Sequence, residues 1–151
     1  MRYKFSEIFL FADWKHSLVP SVAAGVYAIW RQQTLIYCGM SGRGFDPKRA
    51  EGKPRYGLAT RLHSHASGRL SGDQFCVYVA NRLVIPMLQA KDLARFESGD
   101  LTLDTLTRAY IREHLSFQFA VTETGHEAYA LEAECRAGKV FGMKPLLNPL
   151  A

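Results

Sequence analysis

Glu132 stands where a simple helix core would carry an apolar side chain. Ala128, Leu131 and Cys135 recur on one helical face, and Glu132, four residues after Ala128, falls within that stripe while Glu134 points away. A carboxylate so placed is costly unless a cation, a metal or several donors meet it. The plainer reading is a partly exposed helix with a surface ion pair. Arg61 and His65 are also four apart, beside Leu58 and Leu62, and look into one space, whereas His63 faces away. A guanidinium grips phosphate or carboxylate oxygens through its planar fork, and an imidazole exchanges protons near neutrality. Alternatively, Arg61 pairs with a nearby acid and His65 is a satisfied, partly buried imidazole. Two phenols, Tyr27 and Tyr37, lie in segments that alternate as strands. Gln-Gln is poor chemistry for a two-residue turn, so a three-residue loop over 32–34 is expected, which brings both phenols to one side of a hairpin. Two tyrosines so placed otherwise pack in the core or at its rim.

The surrounding charge suits an anionic partner. Over 151 residues, 19 Lys and Arg oppose 14 Asp and Glu, a formal charge of +5, with a pI near 9.2. All the excess lies in residues 1–75, where 11 basic side chains meet 5 acidic ones. It is densest where Arg43, Lys48, Arg49, Lys53, Arg55, Arg61 and Arg69 face only Asp46 and Glu51. Such clusters bind phosphate backbones through counterion release and charge-assisted hydrogen bonds; a solvated, glycine-rich loop is the alternative. The composition excludes an acidic disordered chain. Three cysteines (Cys38, Cys76, Cys135) without a CxxC spacing argue against a disulfide framework or thiolate zinc site and imply reduced thiols in the cytoplasm. With neither a signal-like apolar run nor a membrane-length one, a cytoplasmic chain with no membrane partner is expected.

These residues need a scaffold, and 48% apolar content suffices for one domain over 1–151. Residues 22–31 and 35–39 read as the hairpin. A loop over 40–57 carries Gly42, Gly44, Gly52, Gly57, Pro47 and Pro54 among its charges, a length that is uncommon unless functional. A short helix over 58–66 ends at Ser67 and Gly68. Residues 75–85 read as a strand, and Pro86 opens a helix running to about Phe96. From Asp100 a further helix places Leu103, Leu106, Tyr110, Ile111 and Leu115 on one face. A strand over 117–123, a helix from about Gly125 to Gly138 and a Pro- and Asn-rich tail complete the chain. The order suggests an α/β or α+β domain, with a small, mainly antiparallel sheet flanked by helices.

GVY at 25–27, YCG at 37–39, the Arg61 and His65 pair, ALE at 130–132 and the Asn of PLLN at 145–148 together resemble the GIY-YIG nuclease family. The resemblance covers about 22–68 and 117–149. The loop from Met40 to Gly57 and a segment of about 70–115 look like additions to the minimal core, and Cys38 stands where an aliphatic residue is usual. The resemblance implies a small antiparallel sheet flanked by helices and cleavage of DNA phosphodiesters with one divalent ion, Mg²⁺ or Mn²⁺. It implies that Tyr27 and Tyr37 line the site, Arg61 holds the scissile phosphate, Glu132 binds the metal and Asn148 supports the site. The Arg61 and His65 pair is most similar to that of the family's restriction endonucleases.

In that chemistry Tyr27 is the candidate base or water-positioner, its phenol needing nearby cations to lower it, while His65 accepts or orients its proton. Tyr37 hydrogen-bonds the water or a nonbridging oxygen. Arg43, Lys48, Arg49, Lys53, Arg55 and Arg69 are the expected backbone contacts to DNA, and cutting two strands favours a homodimer or sequential nicks. Two other classes compete: a nucleic-acid-binding module on the same scaffold that does not cut, and a nucleotide-binding protein using SGRGFDPKR (41–49) as a phosphate cradle. The latter segment lacks the GK[ST] ending of a P-loop.

Overall fold

Strict alternation of side chains builds the central strand. In the computed structural model, which describes residues 3–49 and 57–148, β2 (Gly25–Arg31) sends Tyr27 and Ile29 to one face and Val26 and Ala28 to the other, all buried. It pairs with β3 (Thr34–Ser41) on one side and β4 (Ser116–Val121) on the other. A two-residue strand, β1 (Phe9–Leu10), adds to the far side of β4 and was too short to read from the sequence. The sheet is antiparallel throughout, in the order β1-β4-β2-β3.

The hairpin reaches the expected register by a different route. Arg31 pairs with Thr34, so the loop has two residues, Gln32 and Gln33, and Gln32 takes the left-handed conformation at φ 53°. Continued without interruption, that register would turn Tyr37 to the opposite face from Tyr27. Instead Ile29 pairs with Tyr37 and Trp30 with Leu35, leaving Ile36 as the extra residue of a bulge. The bulge does what a third loop residue would have done, and both phenols face one way.

Helices cover both faces, giving a small α+β fold. Tyr27, Ile29 and Phe117 pack with Leu58 and Leu62 of α1 (Leu58–Ser67), Phe75, Cys76 and Val79 of α2 (Gln74–Val79) and Ile111. Val26, Ala28, Cys38 and Ala120 pack against Ala128, Leu131 and Cys135 of α5 (Gly125–Arg136). In chain order between α2 and α5 come α3 (Ala90–Ser98) and α4 (Leu103–His114), the latter contributing Ile111 to the first of these clusters. The three cysteines are free and buried. Among the described residues no helix is long and apolar enough to cross a membrane.

Residues 75–85 correct the expectation of a strand. Asp73 caps α2 by accepting the Cys76 amide at 3.0 Å, and Phe75, Cys76, Val79, Ala80 and Leu83 follow at helical spacing. The run continues as a π-helical turn over Ala80–Val84. The cap and that period outweigh the strand preference of its branched and aromatic residues. Pro86 does not open a long helix; it sits in a 3-10 turn (Ile85–Met87), and α3 starts at a capping box of Gln89 and Asp92.

Gly39 lies across from Tyr27 in the hairpin, and a Cβ there would overlap the Tyr27 phenol. Gly39→Ala therefore displaces that ring and lowers stability by roughly 1–3 kcal/mol, as overpacking does. Denaturant unfolding measures it, and an unchanged midpoint would contradict the packing.

Candidate active site

Beside the end of β3, a cavity of about 300 Å³ gathers Tyr27, Tyr37, Arg61, His65 and Glu132. Five segments bring them there: β2, β3, two successive turns of α1, and α5. Gly39 and Gly42 form part of the wall, so the Tyr27 ring can lie across the strand backbone without meeting a side chain. The left-handed Gly68 closes α1 three residues after His65, its amide bonded to the His65 carbonyl.

Hydrogen bonds fix one side of the cavity. Tyr27 Oη lies 2.6 Å from His65 Nε2, and His65 Nδ1 lies 2.7 Å from Asp73 Oδ2. The Ser64 hydroxyl donates to the same oxygen at 2.6 Å. Tyr27, His65 and Asp73 are each no more than 5% exposed. Sequence reasoning misses Asp73 because the run that follows it, 75–85, reads as a strand. An Asp immediately before a run of helical period, the usual signature of a helix cap, was the signal that could have found it.

Burial governs the protonation of these groups. It pushes the Tyr27 phenol well above its ordinary value, with Tyr37 adding to the shift and Arg61 only partly opposing it. The expected lowering by cations is therefore outweighed, and Tyr27 rests as a neutral phenol. Tyr37 is pushed up to about 12, by burial first and then by the Glu132 charge. Burial lowers His65 below the usual imidazole value against the pull of Asp73. Burial alone would raise the Asp73 carboxyl, but hydrogen bonds from His65, Ser64 and the Cys76 amide hold it at about 2.

Lining the same cavity, the Glu132 side chain is 16% exposed, beside the buried stripe of α5, with Oε1 3.4 Å from Arg136 Nη1. Burial raises its carboxyl, against Arg136, Arg43 and Arg61. Among the described residues no group of three or more His, Cys, Asp and Glu gathers as a metal cluster. Of the two carboxylates lining the cavity, Asp73 is engaged by His65, Ser64 and the Cys76 amide, which leaves Glu132 as the available donor, a set that suits Mg²⁺ better than a structural zinc. The Arg61 guanidinium has no carboxylate partner among the described residues.

The other positions separate. Asn148 stands outside the cavity and clamps the β3 edge: its Oδ1 accepts the Cys38 amide at 2.7 Å and its Nδ2 donates to the Cys38 carbonyl at 2.8 Å. Arg43 lines the cavity, its guanidinium 5.2 Å from the Tyr129 ring. Arg43 and Tyr129 also line an adjoining cavity of about 590 Å³, where Arg49 joins them. Lys48 and Arg69 are exposed and line neither. Lys53 and Arg55 lie outside the described residues. No protein-family model, curated protein or solved structure matches the chain.

Asn148→Ala leaves the Cys38 peptide without its two side-chain partners, costing about 1–3 kcal/mol, and hydrogen exchange at Cys38 accelerates; unchanged protection there would contradict the clamp. Acid weakens the fold through His65, whose folded pKa lies below its unfolded value. Its contribution is complete above about pH 6.5 and is lost as pH falls through the folded value. Asp73 behaves likewise at lower pH, from about 3.9 unfolded down to about 2 folded. The denaturant midpoint of the wild type thus falls between pH 7 and 5, and part of that slope disappears in His65→Gln. Equal slopes would contradict a buried neutral His65.

Proposed function

We propose that the chain is a divalent-metal-dependent endonuclease hydrolysing DNA phosphodiesters, in the manner of the GIY-YIG nucleases it resembles. The observation that carries this reading is the convergence of a guanidinium with no carboxylate partner among the described residues, a carboxylate and a hydrogen-bonded phenol and imidazole on one cavity. Those are the parts that hydrolysis of a phosphate diester requires: a phosphate grip, a metal ligand and a route for the proton of the attacking water.

Arg61 binds nonbridging phosphate oxygens through its fork and opposes the charge that builds on them. Glu132 holds Mg²⁺ or Mn²⁺; when bound, the ion supplies Lewis-acid stabilisation to the phosphate and the leaving oxygen. Tyr37 orients the water or a nonbridging oxygen through its hydroxyl. Tyr27 takes a proton from the water while passing its own to His65, so the phenol need never become a free phenolate. This removes the objection raised by its elevated pKa. Arg43, Lys48 and Arg49, exposed near the cavities, contact the backbone of the strand, and affinity falls with salt. One such site per chain cuts a duplex through two copies or through successive nicks.

Nicking of supercoiled plasmid in Mg²⁺, against EDTA, tests the reading. Glu132→Ala and Arg61→Ala abolish cutting with the fold retained, and Tyr27→Phe slows it by about 10²–10⁴-fold. Exchanging the exposed Glu134 for Ala has little effect. Undiminished cutting by Glu132→Ala would overturn the metal assignment. Salt-dependent DNA binding by a wild type that never nicks would select the non-cutting module instead.

A further inference from the structure

Asp73 belongs to a segment that the family resemblance treats as an addition, yet it touches the site. Its carboxyl is ionised, and a carboxylate only accepts hydrogen bonds. The 2.7 Å contact to His65 Nδ1 therefore requires a proton on that nitrogen. His65 is neutral, so Nε2 carries a lone pair and the Tyr27 hydroxyl, 2.6 Å away, must be the donor. The carboxylate cannot readily turn away. Ser64 donates to the same oxygen, and the other oxygen accepts the Cys76 amide as the cap of α2. The Phe75 ring, 4.6 Å from the imidazole between centroids, packs against the same ring from the next residue but one.

We infer that Asp73 is a positioning residue that locks His65 in the Nδ1–H tautomer, so that a Tyr27–His65–Asp73 chain accepts the proton of the attacking water. The chemistry rests on the nuclease reading, whereas the tautomer rests on the hydrogen-bond geometry together with an ionised Asp73 and a neutral His65. As the water oxygen bonds to phosphorus, its proton moves to Tyr27 Oη and the Tyr27 proton moves to His65 Nε2. The bond from phosphorus to the leaving oxygen breaks, and the electron pair departs on that oxygen, which takes a proton from solvent. The imidazolium keeps its Nδ1–H on Asp73, whose charge stabilises it, and then returns the extra proton to solvent through Tyr27. The same logic operates in Ser-His-Asp hydrolases, with a phenol here in place of the serine hydroxyl.

Nitrogen NMR of ¹⁵N-histidine-labelled protein reads the tautomer directly, and Asp73→Asn is the informative variant. Asparagine caps a helix as well as aspartate does, but its amide presents a donor to His65 Nδ1, which moves the ring proton to Nε2. The wild type is expected to show His65 with Nδ1 protonated and Nε2 bare. Asp73→Asn is expected to show the reverse, with metal-dependent nicking slowed by about 10³–10⁴-fold and DNA affinity unchanged. A wild-type His65 protonated at Nε2 would overturn the inference, whether or not the variant folds. So would an Asp73→Asn protein that nicks at the wild-type rate. If the wild type cuts nothing but the tautomer reverses in Asp73→Asn, the nuclease reading falls and the positioning by Asp73 stands.

Discussion

Three polar side chains buried away from water, Tyr27, His65 and Asp73, satisfy one another, and this constraint governs the rest of the molecule. Each would cost roughly 1–3 kcal/mol if left unpaired at such depth, so the chain is favourable only when it is complete. Completion requires β2, α1 and the start of α2 to meet at fixed distances. The aromatic rings of Tyr37 and Phe75 fill the space around the imidazole. The same interaction thus orders the core beneath the cavity and sets the protonation of the groups that face it.

The sheet edge supplies the second requirement. A bulge at Ile36 turns Tyr37 toward Tyr27, the missing side chain of Gly39 admits the Tyr27 ring, and the tail holds the outer side of β3. The Leu146 and Leu147 amides bond to the Leu35 and Ile36 carbonyls, and Asn148 continues the pairing at Cys38. The tail occupies hydrogen-bonding groups that an open edge would leave unpaired. Asn148 therefore holds the backbone next to Tyr37, without lining the cavity.

Much of this was legible in the sequence wherever a short-range period carried it. Arg61 and His65 sit four apart on a helix, Glu132 sits among Ala128, Leu131 and Cys135, and the hairpin alternates; each pattern is local. The Gln-Gln pair suggests a three-residue turn where the hairpin has two, yet the phenols share a face because the bulge compensates. Asp73 was hidden by composition: the residues after it are rich in Val, Tyr and Leu, which suit a strand, and burial by neighbouring helices makes them a helix. β1 has only two residues and owes its pairing to β4, so no local pattern announces it. The distances from His65 to Tyr27 and Asp73 depend on long-range packing and could not be read from spacing at all.

The most direct measurement is a crystal structure of the protein with a short DNA duplex and Mn²⁺, using the anomalous signal to locate the ion. The expected result is a manganese peak at the Glu132 carboxylate, with a backbone phosphate held by Arg61 and lying next to the Tyr27 hydroxyl. A duplex bound on another face, or a manganese site remote from Glu132 with the cavity free of phosphate, would contradict the proposed chemistry.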